Sequence, residues 1–114
     1  MAKKAEITDI FTTYLVNQDI NQINKQLIES IKSKKLDQVK SLIEVGADIN
    51  FKDEQNVTAL MHAAYIGSTD IVKILIEAGA NILEKDINDE TALVYAAKAG
   101  KALIIDILTF ARKG

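Results

Sequence analysis

A spacing of 33 residues recurs along this chain and constrains its fold more than any single motif does. Gly46 and Gly79, Thr58 and Thr91, Leu60 and Leu93, Ala63 and Ala96, and Gly67 and Gly100 are each separated by that interval. A fixed period of this length marks a solenoid, in which each unit is too small to bury its apolar face alone and buries it against its neighbours. The clearest unit runs from Asp53 to Leu83. In it, Thr58 is placed to cap a short helix through its hydroxyl, and Leu60, Ala63, Ala64 and Gly67 fall on one helical face. The small residues on that face let a neighbouring helix approach closely. A second helix is expected from Thr69 or Asp70, with Ile71, Val72, Ile74, Leu75 and Ile76 as its apolar body. Gly79, just past its end, suits a left-handed C-terminal cap.

These residues resemble the ankyrin repeat. Its pattern is Asp-x-x-Gly-x-Thr-Pro-Leu-His-x-Ala-Ala-x-x-Gly, then a second helix, then Gly-Ala-Asp-x-Asn. TALMHAAYIG with EAGANI, and TALVYAAKAG 33 residues on, carry most of the diagnostic positions, and VGADIN before them copies the ending of a unit. Ala59 and Ala92 replace the usual proline, which weakens preorganisation of the first helical residue. Met61 and Val94 replace the usual histidine, so the side-chain hydrogen bonds that link hairpin loops in the family are expected to be missing. Asn56 and Asp89 stand where glycine is usual, and both residue types tolerate the left-handed backbone of a tight turn. The resemblance implies an all-α ankyrin-type helix-turn-helix solenoid with short hairpin-like loops and an additional N-terminal helix.

The expected organisation is one domain over residues 1–114. Residues 1–18 form an N-terminal capping helix, 19–52 a degenerate first repeat, 53–85 a second repeat and 86–114 a C-terminal capping repeat. Ile7, Ile10, Phe11, Tyr14 and Leu15 have the spacing of an amphipathic stripe, which would cover the exposed end of the first repeat. The same stripe could instead bind a partner or another copy. Asp19 can cap the next helix, whose apolar positions are Ile20, Ile23, Leu27, Ile28 and Ile31, and Leu36 to Val45 gives its companion, ending at Gly46. At the other end, Leu103 takes the place of Asp70 and Phe110 that of Glu77, so the last helix is more apolar than its predecessor.

Composition removes several function classes. Fourteen basic and sixteen acidic residues leave a net charge of -2, spread without a basic stripe, so nucleic-acid binding is not expected. The absence of cysteine removes disulfides, a thiolate nucleophile and sulfur metal sites. Glu6 and Asp9 interrupt any signal-peptide core, and no apolar run is long enough to span a membrane, so a cytoplasmic protein is expected. His62 is the sole histidine and has no evident partner for general-base work, which leaves it as a groove-lining side chain. Asp86, Asn88 and Glu90 have the alternation that opens a calcium loop. The loop glycine is absent, however, so calcium is not expected. No phosphate cradle, nucleophile elbow or metalloprotease pair is present, so no catalysis and no cofactor are expected.

Recognition of a partner protein remains. Helical spacing turns His62, Tyr65, Ile66 and Thr69 away from the packed face, and the same offset selects Tyr95, Lys98 and Ala99 in the third unit and Glu29, Lys32 and Ser33 in the first. In ankyrin proteins this side and the loop tips form a concave groove that holds partners. The resemblance therefore implies His62, Tyr65, Ile66, Thr69, Tyr95, Lys98 and Lys32 as groove residues. It implies Asp53, Glu54, Gln55, Val57, Asp86, Ile87, Asn88 and Glu90 as loop residues. Acidic side chains at the loops would suit a partner with basic residues. Two readings of Tyr65 and Tyr95 stand at this point: anchors of an interface, or fillers of gaps between helices. A monomer binding a protein of unknown identity is the leading expectation. A self-associating structural unit, or an inhibitor or immunity-type protein that blocks an enzyme, are the alternatives.

Overall fold

The computed structural model describes residues 20–113. Among these there are six helices and no strand. Residues 20–32 form α1, followed by α2 (Leu36–Glu44), α3 (Ala59–Ile66), α4 (Thr69–Glu77), α5 (Ala92–Lys98) and α6 (Ala102–Lys113). The stripe from Ile7 to Leu15, the Asp19 cap and the capping helix expected over 1–18 lie outside the described residues.

The helices form consecutive antiparallel pairs that stack in two layers. In one layer α3 packs on α5; in the other α4 lies between α2 and α6. The second and third pairs are closed by α3 against α4 and α5 against α6. Alanine makes the first layer possible: Ala63, Ala64 and Ala96 are wholly buried, so the α3 and α5 backbones come close. Leucine, isoleucine and valine fill the space between layers, with Leu27, Ile31, Val39, Leu60, Ile71, Val72, Leu75 and Ile104 almost entirely removed from water. Burial of such side chains contributes roughly 1.5–3 kcal/mol each relative to exposure. This apolar seam holds the stack together.

Local signals set the helix ends. The Thr58 hydroxyl accepts the Met61 amide at 3.3 Å. The sulfur of Met61 in turn accepts the Thr58 amide at 3.4 Å, so the residue that replaces histidine closes a box on its own helix. The second helix of this pair starts at Thr69, as the pattern suggests, and its cap is the preceding Ser68, whose hydroxyl accepts the Ile71 amide. The turn inside each pair needs a left-handed residue. Gly67 and Gly100 supply it in the second and third pairs, while Lys34 adopts φ 58° at the equivalent point of the first. Between pairs, Asn56 and Asp89 take the left-handed conformation expected of them, at φ 61° and 66°.

The stack also changes at its last helix. α4 ends at Glu77 and turns back through Gly79 at φ 100°. In α6 the equivalent residue is Arg112, and the helix runs on through it to Lys113. The exchange of glycine for arginine removes the left-handed turn that leads from one pair into the next loop.

Candidate functional site

The inner helices α1, α3 and α5 present side chains in register. Glu29, His62 and Tyr95 form one row, and Lys32, Tyr65 and Lys98, one turn later, form a second. The second row is exposed throughout, and Tyr65 keeps 56% of its surface in water. An aromatic ring this open fills no gap between helices. Tyr95 behaves differently: it is half-buried, packs against the core, and its hydroxyl donates to Asp86 Oδ2. The same residue type therefore serves two purposes at neighbouring positions. Ile66 and Thr69 are also half-buried, with Ile66 leaning on the core and Thr69 opening α4.

Two loops stand at the ends of α3 and α5 and share one construction. In the first, Asp53 Oδ1 accepts the amides of Gln55 and Val57 at 2.8 and 3.0 Å. In the second, Asp86 Oδ1 accepts those of Asn88 and Glu90 at 2.8 and 2.9 Å. The Asp53 amide donates to the Val57 carbonyl and the Asp86 amide to that of Glu90, which closes each turn. The Ile87 amide donates to the Gln55 carbonyl at 3.0 Å, so the backbone joins the two loops although the linking histidines are absent.

This construction corrects two of the loop residues. Val57 is buried, because the residue entering α3 drops its apolar side chain into the core. Asp86 is buried as well, at 7% exposure, with both carboxylate oxygens turned inward to its own loop and to Tyr95. Both side chains are withdrawn from solvent. Glu90 pairs with Lys98 and is half-buried, so the acidic character of the loops is narrower than the sequence alone suggests. The tips that reach solvent are Glu54, Gln55 and Asn56 in the first loop and Ile87, Asn88 and Asp89 in the second. Ile87 is 63% exposed, an apolar side chain at the tip of the second loop.

Electrostatics follow the same geometry. The Tyr95 hydrogen bond and then the Glu90 amide hold the Asp86 carboxyl below its ordinary range, while burial and then the hydrogen bond to Asp86 push the Tyr95 phenol well up. Burial, followed by the Lys32 charge, lowers the His62 imidazole, against the opposing pull of Asp53 and Glu29. Its Nε2 is buried without a hydrogen-bond partner, 4.0 Å from Asp53 Oδ2. A ring so placed is not poised to take a proton from a substrate. Among the described residues no group of histidine, cysteine, aspartate or glutamate is arranged to hold a metal ion, and no helix is long and apolar enough to cross a membrane.

One feature escaped sequence reasoning. Asn50, before the first loop, clasps the following pair: its Oδ1 accepts the Asn81 amide at 2.7 Å and its Nδ2 donates to the Gly79 carbonyl at 3.4 Å. Lys52 adds an ion pair to Glu84 at 2.9 Å across the same junction. The 33-residue register held the signal, since Asn50 is matched by Leu83 rather than by another asparagine.

A family model described as ankyrin repeats, in three copies, matches residues 27–113 of this chain. Comparison with curated proteins gave no match.

Proposed function

Because the chain belongs to the ankyrin repeat family, whose members are in general protein–protein interaction modules, we propose that it binds a partner protein across the inner helices and the loop tips, without catalysis. The observation that carries this reading is the open row of Lys32, Tyr65 and Lys98, to which the second loop adds the exposed tip residue Ile87. Large aromatic and apolar side chains that the core does not use become the anchors of an interface, where a few residues carry most of the binding energy. Lys32, Lys98 and His62 would flank the Tyr65 anchor, and Glu54 and Asp89 would meet basic groups of the partner at the loops. An inhibitor that occludes an enzyme falls within this reading.

Affinity capture tests it. Wild type is compared with a Tyr65→Ala, Ile87→Ser double variant, both changes lying at exposed positions that leave the core intact. A protein retained by the wild type and lost by the folded variant supports the proposal. Equal retention by both contradicts it.

Self-association is a second reading, favoured by one observation. Leu103 and Phe110 are 69% and 80% exposed on α6, at positions occupied by Asp37 and Asp70, and by Glu44 and Glu77, in the earlier pairs. Sedimentation of the wild type beside Phe110→Glu distinguishes it, since only a self-associating chain would change mass.

A further inference from the structure

The last pair of helices ends in a cleft of about 260 Å³ formed by Ile82, Leu83, Leu93 and Leu108, with Lys85 and Arg112 at its edge. Its counterpart one unit earlier is closed. Leu60 and Leu75, the equivalents of Leu93 and Leu108, are fully buried beneath the third pair, whereas Leu93 retains exposure. The simplest occupant would be another unit of the same kind, and the residues argue against it. The Asn50 clasp that receives the next unit is replaced by Leu83, and the Gly79 turn that leads into the next loop is replaced by Arg112 within a continuous helix. The seat has lost its polar clasp and gained an apolar side chain and a cation.

The register also says what charge belongs there. At the preceding junction Lys52 pairs with the Glu84 carboxylate of the unit seated above it, at 2.9 Å. Lys85 is the equivalent of Lys52, and its described ion pair is a longer contact of 3.6 Å with the exposed Asp89 of its own loop. Arg112 adds a second positive charge at the same edge, exposed and in no ion pair among the described residues. The volume is below the roughly 300–1,000 Å³ of small-molecule pockets, which suits one or two apolar side chains of a peptide.

We propose that this terminal cleft is a second interaction surface, separate from the inner-helix face, that takes an acidic, apolar peptide segment of a partner protein. A leucine-type side chain seats among Ile82, Leu83, Leu93 and Leu108, and a neighbouring carboxylate pairs with Arg112 and Lys85. The polar clasp between repeats is thereby exchanged for an apolar seat with a charged rim, and charge decides which segment is accepted.

Methyl NMR of the full chain tests this with two probes: a short peptide rich in leucine and glutamate, and its version with every glutamate replaced by lysine. The expected result is a saturable shift of the Leu83, Leu93 and Leu108 methyls with the acidic peptide and none with the basic one. Arg112→Glu with Lys85→Glu should weaken binding about tenfold, on the scale expected for two rim charges reversed, while Lys73→Glu on α4 leaves it unchanged. Arg112→Gln, a milder change, should fall between. Equal binding of both peptides, shifts confined to the Ile66 and Ile87 methyls of the inner-helix face and loop tip, or no shift at all would each overturn the proposal. So would concentration-dependent broadening of the Leu83, Leu93 and Leu108 methyls without peptide, since a second copy would then be the occupant.

Discussion

Tyr95 and His62 hold the same register position on α5 and α3, yet only Tyr95 reaches its loop. The tyrosine hydroxyl donates to Asp86 Oδ2, whereas His62 Nε2 stops 4.0 Å from the equivalent oxygen of Asp53. One loop is tied to its helix by a side chain and the other is not.

Burial without a hydrogen-bond partner makes His62 an acid-sensitive point of the stack. Its pKa in the folded state lies below the ordinary 6.5, so between those two values the unfolded chain binds more protons than the folded one. The stability this group contributes is complete above pH 6.5 and is lost as pH falls through the folded value. Denaturant titrations over this range should show that decline in the wild type and not in His62→Gln. The single imidazole can also be followed by NMR: Lys32→Gln should raise its pKa and Asp53→Asn should lower it. A wild-type value above 6.5 would contradict the burial described here.

Tyr95→Phe should release the second loop. Removing the hydroxyl leaves Asp86 Oδ2 without its donor, and the carboxyl pKa should rise toward its ordinary 3.8. A depressed carboxylate pKa contributes stability that is present above that value and lost as pH falls through the folded one, so the variant's acid transition should lose this component. Hydrogen exchange at the Asn88 and Glu90 amides, both held by Asp86, should quicken. Unchanged exchange would mean that the turn holds itself without the tyrosine.

The clasp at Asn50 gives a prediction about the junction between units. Asn50→Ala removes both side-chain bonds to the following pair, and because the site is exposed the loss should be about 0.5–1.5 kcal/mol. Chemical denaturation measures it. A neutral result would assign the junction to apolar packing and the Lys52–Glu84 ion pair.

Cooperativity follows from the seam between layers. Leu75 is wholly buried in α4, between α2 and α6, so Leu75→Ala should cost roughly 2–5 kcal/mol. Because neighbouring units bury each other's faces, helical circular dichroism and tyrosine fluorescence should be lost together. Ala63→Asp, which forces a charge between α3 and α5, should unfold the array outright. Separate transitions by the two probes would show that the pairs fold independently.

The sequence was most readable where a residue type has one mechanical use. The Thr58 cap, the left-handed turns at Asn56 and Asp89, and the alanines under α3 and α5 follow from local chemistry repeated at a fixed interval. The surface was less readable because exposure depends on partners distant in sequence. Helical spacing placed Tyr65 and Tyr95 together, but only the hydrogen bond to Asp86 separates the anchored ring from the open one. Loop acids read as a charged rim until the folded turn shows Asp86 spent on backbone amides and Glu90 on Lys98. The terminal cleft was invisible for a related reason: Leu83 and Arg112 acquire meaning only beside Asn50 and Gly79, whose bonds appear in three dimensions.

Photo-crosslinking from a benzoylphenylalanine introduced in place of Tyr65, compared with the same group in place of the exposed Lys73 on α4, tests the partner-binding face most directly. In the cells that make this protein, a discrete adduct to one protein from position 65, and none from position 73, is the result predicted. An adduct formed from position 73 alone, or from neither, would contradict the assignment of the inner-helix face as the surface that binds.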